Sequence, residues 1–157
     1  MSAIGVRIRD ADLSLTDMRR LATSAEEAGY QSVWLPESMG RDAIAELIAL
    51  VSATKRITVG TGIVPVFGRQ PTLTAAAVAT AAAIAPGRVI LGVGIGHRDS
   101  LVGGHGIEFS RPLAHTREFV EIARQLLRGE SVEHVGDIYT IGRYRVDCTP
   151  SVPVPVY

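Results

Sequence analysis

A chain of 157 residues, 46% of them apolar, is long enough for one domain with a buried core. Its sixteen Lys and Arg balance sixteen Asp and Glu, so no net field is available to gather nucleic acid or an anionic membrane surface. Cys148 is the single cysteine and excludes an internal disulfide; no stretch has the layout of a signal peptide, and no apolar run is long enough to span a bilayer. The expectation is a cytoplasmic protein with a small-molecule substrate and neither nucleic acid nor membrane as partner.

In chain order, Ala3–Arg9 is a short branched run that predicts a first strand. Leu15–Ala28 follows with helical spacing behind Ser14, a residue type that caps helix N-termini. Ser32–Pro36 predicts a second strand and Arg41–Ala53 a second helix. Ile57–Val64 and Arg88–Val93 are the third and fourth strand candidates, and Pro71–Ala85 and Pro112–Arg128 the helices after them. Gly29, Pro86-Gly87 and Gly129 close three of the helical segments, as residues suited to a sharp exit should. Ser131–Val146 alternates polar and apolar residues about Val135-Gly136-Asp137 and predicts a β-hairpin, while Val152–Tyr157 begins what reads as a fifth strand. Nearly continuous apolar strands alternating with helices indicate a parallel sheet covered by its crossover helices, so the fold class is α/β.

In such folds ligands meet the loops leaving the carboxyl ends of the strands. The stretch "GRVILGVGIGHRDS" (87–100) carries Gly92, Gly94 and Gly96 on alternate positions, and "VGTGIVPVFGRQP" (59–71) carries Gly60 and Gly62. Neither opens directly into a helix as the G-x-G-x-x-G dinucleotide fingerprint requires, so that reading is set aside. Alternate glycines in a strand clear one face of side chains. They can leave main chain bare for a planar ring, relieve crowding where a barrel closes, or mark a bend. His97 stands just past the second glycine run and can transfer a proton, because imidazole changes charge near neutral pH, or it can be a solvated loop histidine. Glu37, at the exit of the second strand, is a candidate acid or base whose plainer role is to pair with an arginine. His105, His115 and His134 are scattered without metal-ligand spacing, so no metal site is expected, and both the G-x-S-x-G elbow and the phosphate loop G-x-x-x-x-G-K-[ST] are missing.

The blocks "GYQSVWLPES", "ATKRITVGTGIVPVFGRQPTLTAAAVATAAAIAPGRVILGVGIGH" and "RPLAHTREFVEIARQLLRGESVEHVGDIYTI" resemble, in order, the bacterial luciferase-like monooxygenase superfamily, most of all its coenzyme F420-dependent oxidoreductases. The resemblance implies a TIM barrel that binds F420, or FMN, at the carboxyl end of its strands and passes hydride between coenzyme and a small organic substrate. It implies that Glu37, Ser38, Gly62, Ile63, Gly94, Gly96 and His97 surround the ring, with His97 and Glu37 catalytic. It also implies a non-proline cis peptide near Gly62-Ile63. Ser38 replaces the histidine that the family often carries after its acidic residue, and His97 stands where several F420-dependent members carry a glutamate proton donor.

A complete (β/α)8 barrel has eight strands and about 250 residues. Residues 1–157 therefore match its N-terminal half: a single, truncated domain, a partial barrel of about four to five parallel strands with flanking helices and a small hairpin excursion. Two further expectations follow. The open barrel edge favours a homo-oligomer, and the alternative to an oxidoreductase is a catalytically inactive half barrel serving as an assembly or binding module.

Overall fold

The computed structural model describes residues 4–9, 12–37 and 40–157. Its main strands, in chain order, are β1 (Gly5–Arg7), β2 (Ser32–Leu35), β3 (Thr58–Thr61), β4 (Val64–Pro65), β5 (Val89–Ile90) and β6 (Val93–Gly94). Between and after them lie α1 (Leu15–Glu27), α2 (Ala43–Ala53), α3 (Pro71–Ile84) and α4 (Pro112–Leu127). β1, β2, β3 and β5 form one parallel sheet in that order, and β4 and β6 form a second parallel pair.

Each helix starts where its sequence supplies a start. The Ser14 side chain accepts from the Asp17 amide while Asp17 reaches back to the Ser14 amide, a capping box for α1. Asp42 Oδ1 accepts from the amides of Ile44 and Ala45 at 2.9 Å each and opens α2. Pro71 and Pro112 occupy the first turns of α3 and α4, where a missing N–H costs nothing. Met18, Ala22 and Ala25 give α1 one buried stripe at helical spacing, and Phe119, Ile122, Ala123 and Leu126 give α4 another. These stripes cover the helix-side face of the sheet, where Val33, Leu35, Val59, Val89 and Leu91 are buried to 2% exposure or less. Fully burying such a side chain is worth roughly 1.5–3 kcal/mol, so this two-layer contact is the main source of stability.

The third and fourth branched runs each divide into two short strands. The third breaks at Gly62-Ile63, whose peptide bond is cis, as the resemblance implied. Gly62 donates to the Leu35 carbonyl, and the Glu37 amide to that of Ile63. From there the strand keeps the fourth run as its neighbour, with the Val64 amide donating to Gly92 at 2.9 Å and the Val66 amide to Gly94 at 2.8 Å. Val152–Tyr157 joins the sheet as a single parallel bridge, Leu91 to Val156, because Pro153 and Pro155 have no N–H to extend a ladder. Its bonds are real nonetheless: Leu91 donates to Pro155, Tyr157 to Leu91, and Val93 to Tyr157. A fifth parallel segment therefore lies beside the fourth.

The hairpin forms as expected from β7 (Val132–Val135) and β8 (Thr140–Tyr144), antiparallel. It is fastened to α4 by Glu118, only 4% exposed, which accepts from the amides of Asp137, Ile138 and Tyr139 at 3.0, 3.2 and 3.0 Å and meets His134 Nε2 at 3.1 Å. Burial pushes this carboxyl up, but the Tyr139 amide, His134 and the other two amides outweigh it and hold it at about 2. Glu26 plays the same part in the loop before β3, taking the amides of Lys55, Arg56 and Ile57; burial is again outweighed, and its carboxyl is also held at about 2.

Both carboxyls are depressed from 4.5, so their stabilisation is complete above that value and is lost as pH falls toward about 2. Urea midpoints should therefore decline over that interval. Glu118→Ala should lower stability by about 1–3 kcal/mol at neutral pH, because three hairpin amides lose their acceptor, and it should flatten part of the acid decline. An unchanged midpoint in that variant would contradict the role given to Glu118.

Candidate functional site

The strand exits converge on a cleft of about 620 Å³. Gly62, Ile63 and Gly96 line it together with the apolar residues Pro36, Pro65, Ile95 and Leu101. The polar groups at its rim are Arg7, Arg9, Glu37, His97, Ser100 and His105. Another cleft of comparable size lies between α4 and residues 150–156, away from the carboxyl ends of the strands where parallel α/β folds bind ligands.

Glu37 reaches the rim because the β2 chain continues past Leu35 and its amide is pinned to the Ile63 carbonyl at 3.0 Å. Its carboxylate is fully engaged. Arg69 Nε donates to Oε1 at 3.0 Å, Arg69 Nη2 donates to Oε2, and the Ala43 amide donates to Oε2 at 3.2 Å. Arg69 also donates to Asp42 Oδ2 at 2.9 Å, so one guanidinium ties the exit of β2 to the start of α2 and to the loop before α3. Burial disfavours the charge on Arg69, yet Glu37 and Asp42 outweigh it and raise its pKa. Burial likewise pushes the Asp42 carboxyl up, and the Ala45 amide with Arg69 brings it below its usual value.

Gly96 has φ +69°, a left-handed conformation that lets the chain turn sharply out of β6. His97 follows, exposed at the rim, and its carbonyl accepts from the Leu101 amide at 3.0 Å as Ser100–Gly104 winds into a short π-helical turn. That turn brings His105 to the same cleft.

The structure thus brings Glu37, Gly62, Ile63, Gly96 and His97 together. Ser38 lies outside the described residues. Gly94 departs from its expected place: a Cβ there would stand 3.1 Å from Cγ1 of Ile63, so that side chain covers it, and Gly94 does not line the cleft. The glycine wall is also less bare than expected deeper in the sheet. The Trp34 indole lies against Gly60, where a Cβ would meet Cζ3 at 2.7 Å, and donates to Ser32 Oγ at 2.9 Å. By the same measure a Cβ at Gly96 would stand 3.0 Å from Cβ of Pro65 and one at Gly62 3.6 Å from Cε3 of Trp34, so of the two glycines that line the cleft Gly62 is the more open.

Sequence reasoning missed Arg7, Arg9 and His105. The first two had a legible signal, since "RIR" at the exit of the first strand puts both arginines on one face by strand alternation. His105 had none, because a π-helical turn follows neither the strand nor the α-helix period. Among the described residues no group of three or more His, Cys, Asp or Glu is arranged to hold a metal, and no helix is long and apolar enough to cross a membrane.

Parallel strands alternating with helices, with a ligand-sized cleft at the strand exits, define part of an α/β barrel of the enzyme type. The profile of the luciferase-like monooxygenases matches residues 2–157, and the chain belongs to that family. It is 31% identical over 170 residues to an F420-dependent glucose-6-phosphate dehydrogenase of Amycolatopsis mediterranei, an alignment covering 100% of this chain and 51% of that protein. It superimposes on an F420-dependent secondary alcohol dehydrogenase in complex with an F420–acetone adduct, with a TM-score of 0.87 and 26% identity over 98% of this chain and 50% of the other. It shares the fold of the oxygenating constituent of 3,6-diketocamphane monooxygenase from Pseudomonas putida in complex with FMN, with a TM-score of 0.77 and 19% identity over 96% and 47% of the two chains. The chain spans about half the length of these relatives.

Replacing Arg69 by Ala leaves the Glu37 side chain, 16% exposed, without its cation. The variant should lose about 1–3 kcal/mol in urea unfolding. Arg69→Ala combined with Glu37→Gln should recover part of that loss, and failure to recover any would mean the pair is not coupled.

Proposed function

We propose that this chain forms the ring-facing part of an F420-dependent oxidoreductase active site, with FMN as the alternative coenzyme. The observation that carries the reading is the cleft at the strand exits, lined by Gly62, Ile63, Gly96 and His97. The residues present suit a flat tricyclic ring: Gly62 and Gly96 bring no side chain of their own to the cleft, and Pro36, Ile63, Pro65, Ile95 and Leu101 give it an apolar lining. F420 is favoured over FMN by the sequence similarity to F420-dependent enzymes.

When bound, the coenzyme supplies hydride transfer with a small organic substrate. The chain's own residues bind and orient the ring, and the apolar flank keeps water from that side. His97 holds or delivers the proton at an imidazole nitrogen, exposed to the cleft and free to meet a substrate oxygen. Glu37 acts indirectly, since its carboxylate is committed to Arg69; through its amide it fixes the Ile63 carbonyl, and through its side chain it sets the start of α2.

A second reading, an assembly module, is supported by the open edge: β1 ends the sheet, Ile4 is 59% exposed and Tyr157 is 70% exposed. One titration separates the two. Saturable quenching of F420 or FMN fluorescence at about one equivalent supports the coenzyme site. No quenching, together with a solution mass of two chains, supports the module and contradicts the first reading. In catalytically competent protein, His97→Ala should lower kcat roughly 10²-fold or more with KM little changed. Unaltered turnover would remove His97 from the reaction.

A further inference from the structure

We infer that Arg7, Arg9, His97 and His105 form a subsite for an anionic group of the substrate, a carboxylate or a phosphate, at the rim of the cleft. The word substrate rests on the proposed function; the anion site itself rests on the rim. All four residues line the cleft. In β1 the side chains alternate: Ile8 is 5% exposed on the helix side, whereas a Cβ at Gly5 would point at Ser32 Oγ and Trp34 Nε1 on the other face. Arg7 and Arg9 share the face of Gly5, about 7 Å from each other at the backbone, and both also border the groove between β1 and α1.

Among the described residues neither has an anionic partner. Arg41, Arg69, Arg88 and Arg124 all donate to carboxylates or carbonyls that hold elements together. Among the described residues Arg7 and Arg9 make no ion pair, and Arg9 lies just beyond the end of the strand it extends. Among the described residues the one carboxylate lining the cleft is that of Glu37, whose charge is already compensated by Arg69. Arg7, Arg9, His97, His105 and Ser100 therefore line a cleft in which, among the described residues, no carboxylate is unpaired. Planar forks matched to two oxygens are the arrangement that recognises carboxylate and phosphate.

The anion could come from the substrate or from the side chain of the coenzyme, and the test distinguishes them. Inorganic phosphate is titrated into the chain at constant ionic strength, with chloride as control. The side-chain NMR signals of His97 and His105 are followed in the chain itself, in the Arg7→Met/Arg9→Met double variant and in Arg9→Met alone, with thermal midpoints checked throughout. Expected are saturable shifts of both histidines with phosphate and not with chloride, weakened at least tenfold in the double variant at an unchanged midpoint. Phosphate should also stay bound when one equivalent of F420 is added. No saturable response, or equal affinity in the chain and its double variant, overturns the subsite; release of phosphate by F420 overturns its assignment to substrate. Phosphate binding without any coenzyme binding supports the anion site and removes the proposed function instead.

Discussion

Between Thr61 and Val64 the third run passes from the pair β2 and β5 to β6 alone, and the rest of the site follows from that exchange. Gly62 still donates to Leu35 of β2, Ile63 receives from Glu37, and Val64 and Val66 then donate to Gly92 and Gly94 of the fourth strand. Four successive backbone bonds thus fix the exits of β2, β4 and β6 relative to each other. A buried backbone group left unpaired is costly, so the exchange has little room to shift. Glu37, the Gly62–Ile63 peptide and the start of the Gly96–His97 turn hang from those bonds, which is why one cleft collects them.

The two faces of the sheet differ in kind. The helix side is closed, apolar and buried, and it carries the stability. The other side holds Ser32, Trp34, Gly5 and Gly60, with the indole filling space that side chains at the glycines would occupy. Trp34 and Tyr157 have ring centroids 6.5 Å apart, so aromatic surface extends across this face toward the last segment. Arg88 and Arg124, in the helix layer, are bonded to carbonyls, whereas Arg7 and Arg9 at the exit of β1 line the cleft.

Much of this was legible in the sequence because local chemistry and tertiary packing agree. Ser14 and Asp42 announce the helices they cap, Pro71 and Pro112 mark first turns, and the branched runs alternate with helices as a parallel sheet demands. His97 and Gly96 could be placed at the exit of the fourth strand from the glycine run alone. What the pattern concealed was which atoms fill the spaces that glycines leave. Gly94 and Gly60 look identical to Gly62 in sequence, yet Ile63 and Trp34 come to rest on the first two from neighbouring strands. The pairing of Glu37 with Arg69 joins residues thirty-two positions apart and was readable only as one of two options. His105 reaches the cleft through a π-helical turn, and no sequence period announces one.

The central claim is that a coenzyme ring lies on the exposed main chain at the exits of the third and fourth strands. Backbone amide chemical shifts recorded with and without F420 test it most directly. The account predicts that the amides of Gly62, Ile63, Gly96 and His97 move most, and that those of α4 and residues 150–156 stay in place. Perturbations confined to the groove between α4 and that last segment would contradict it.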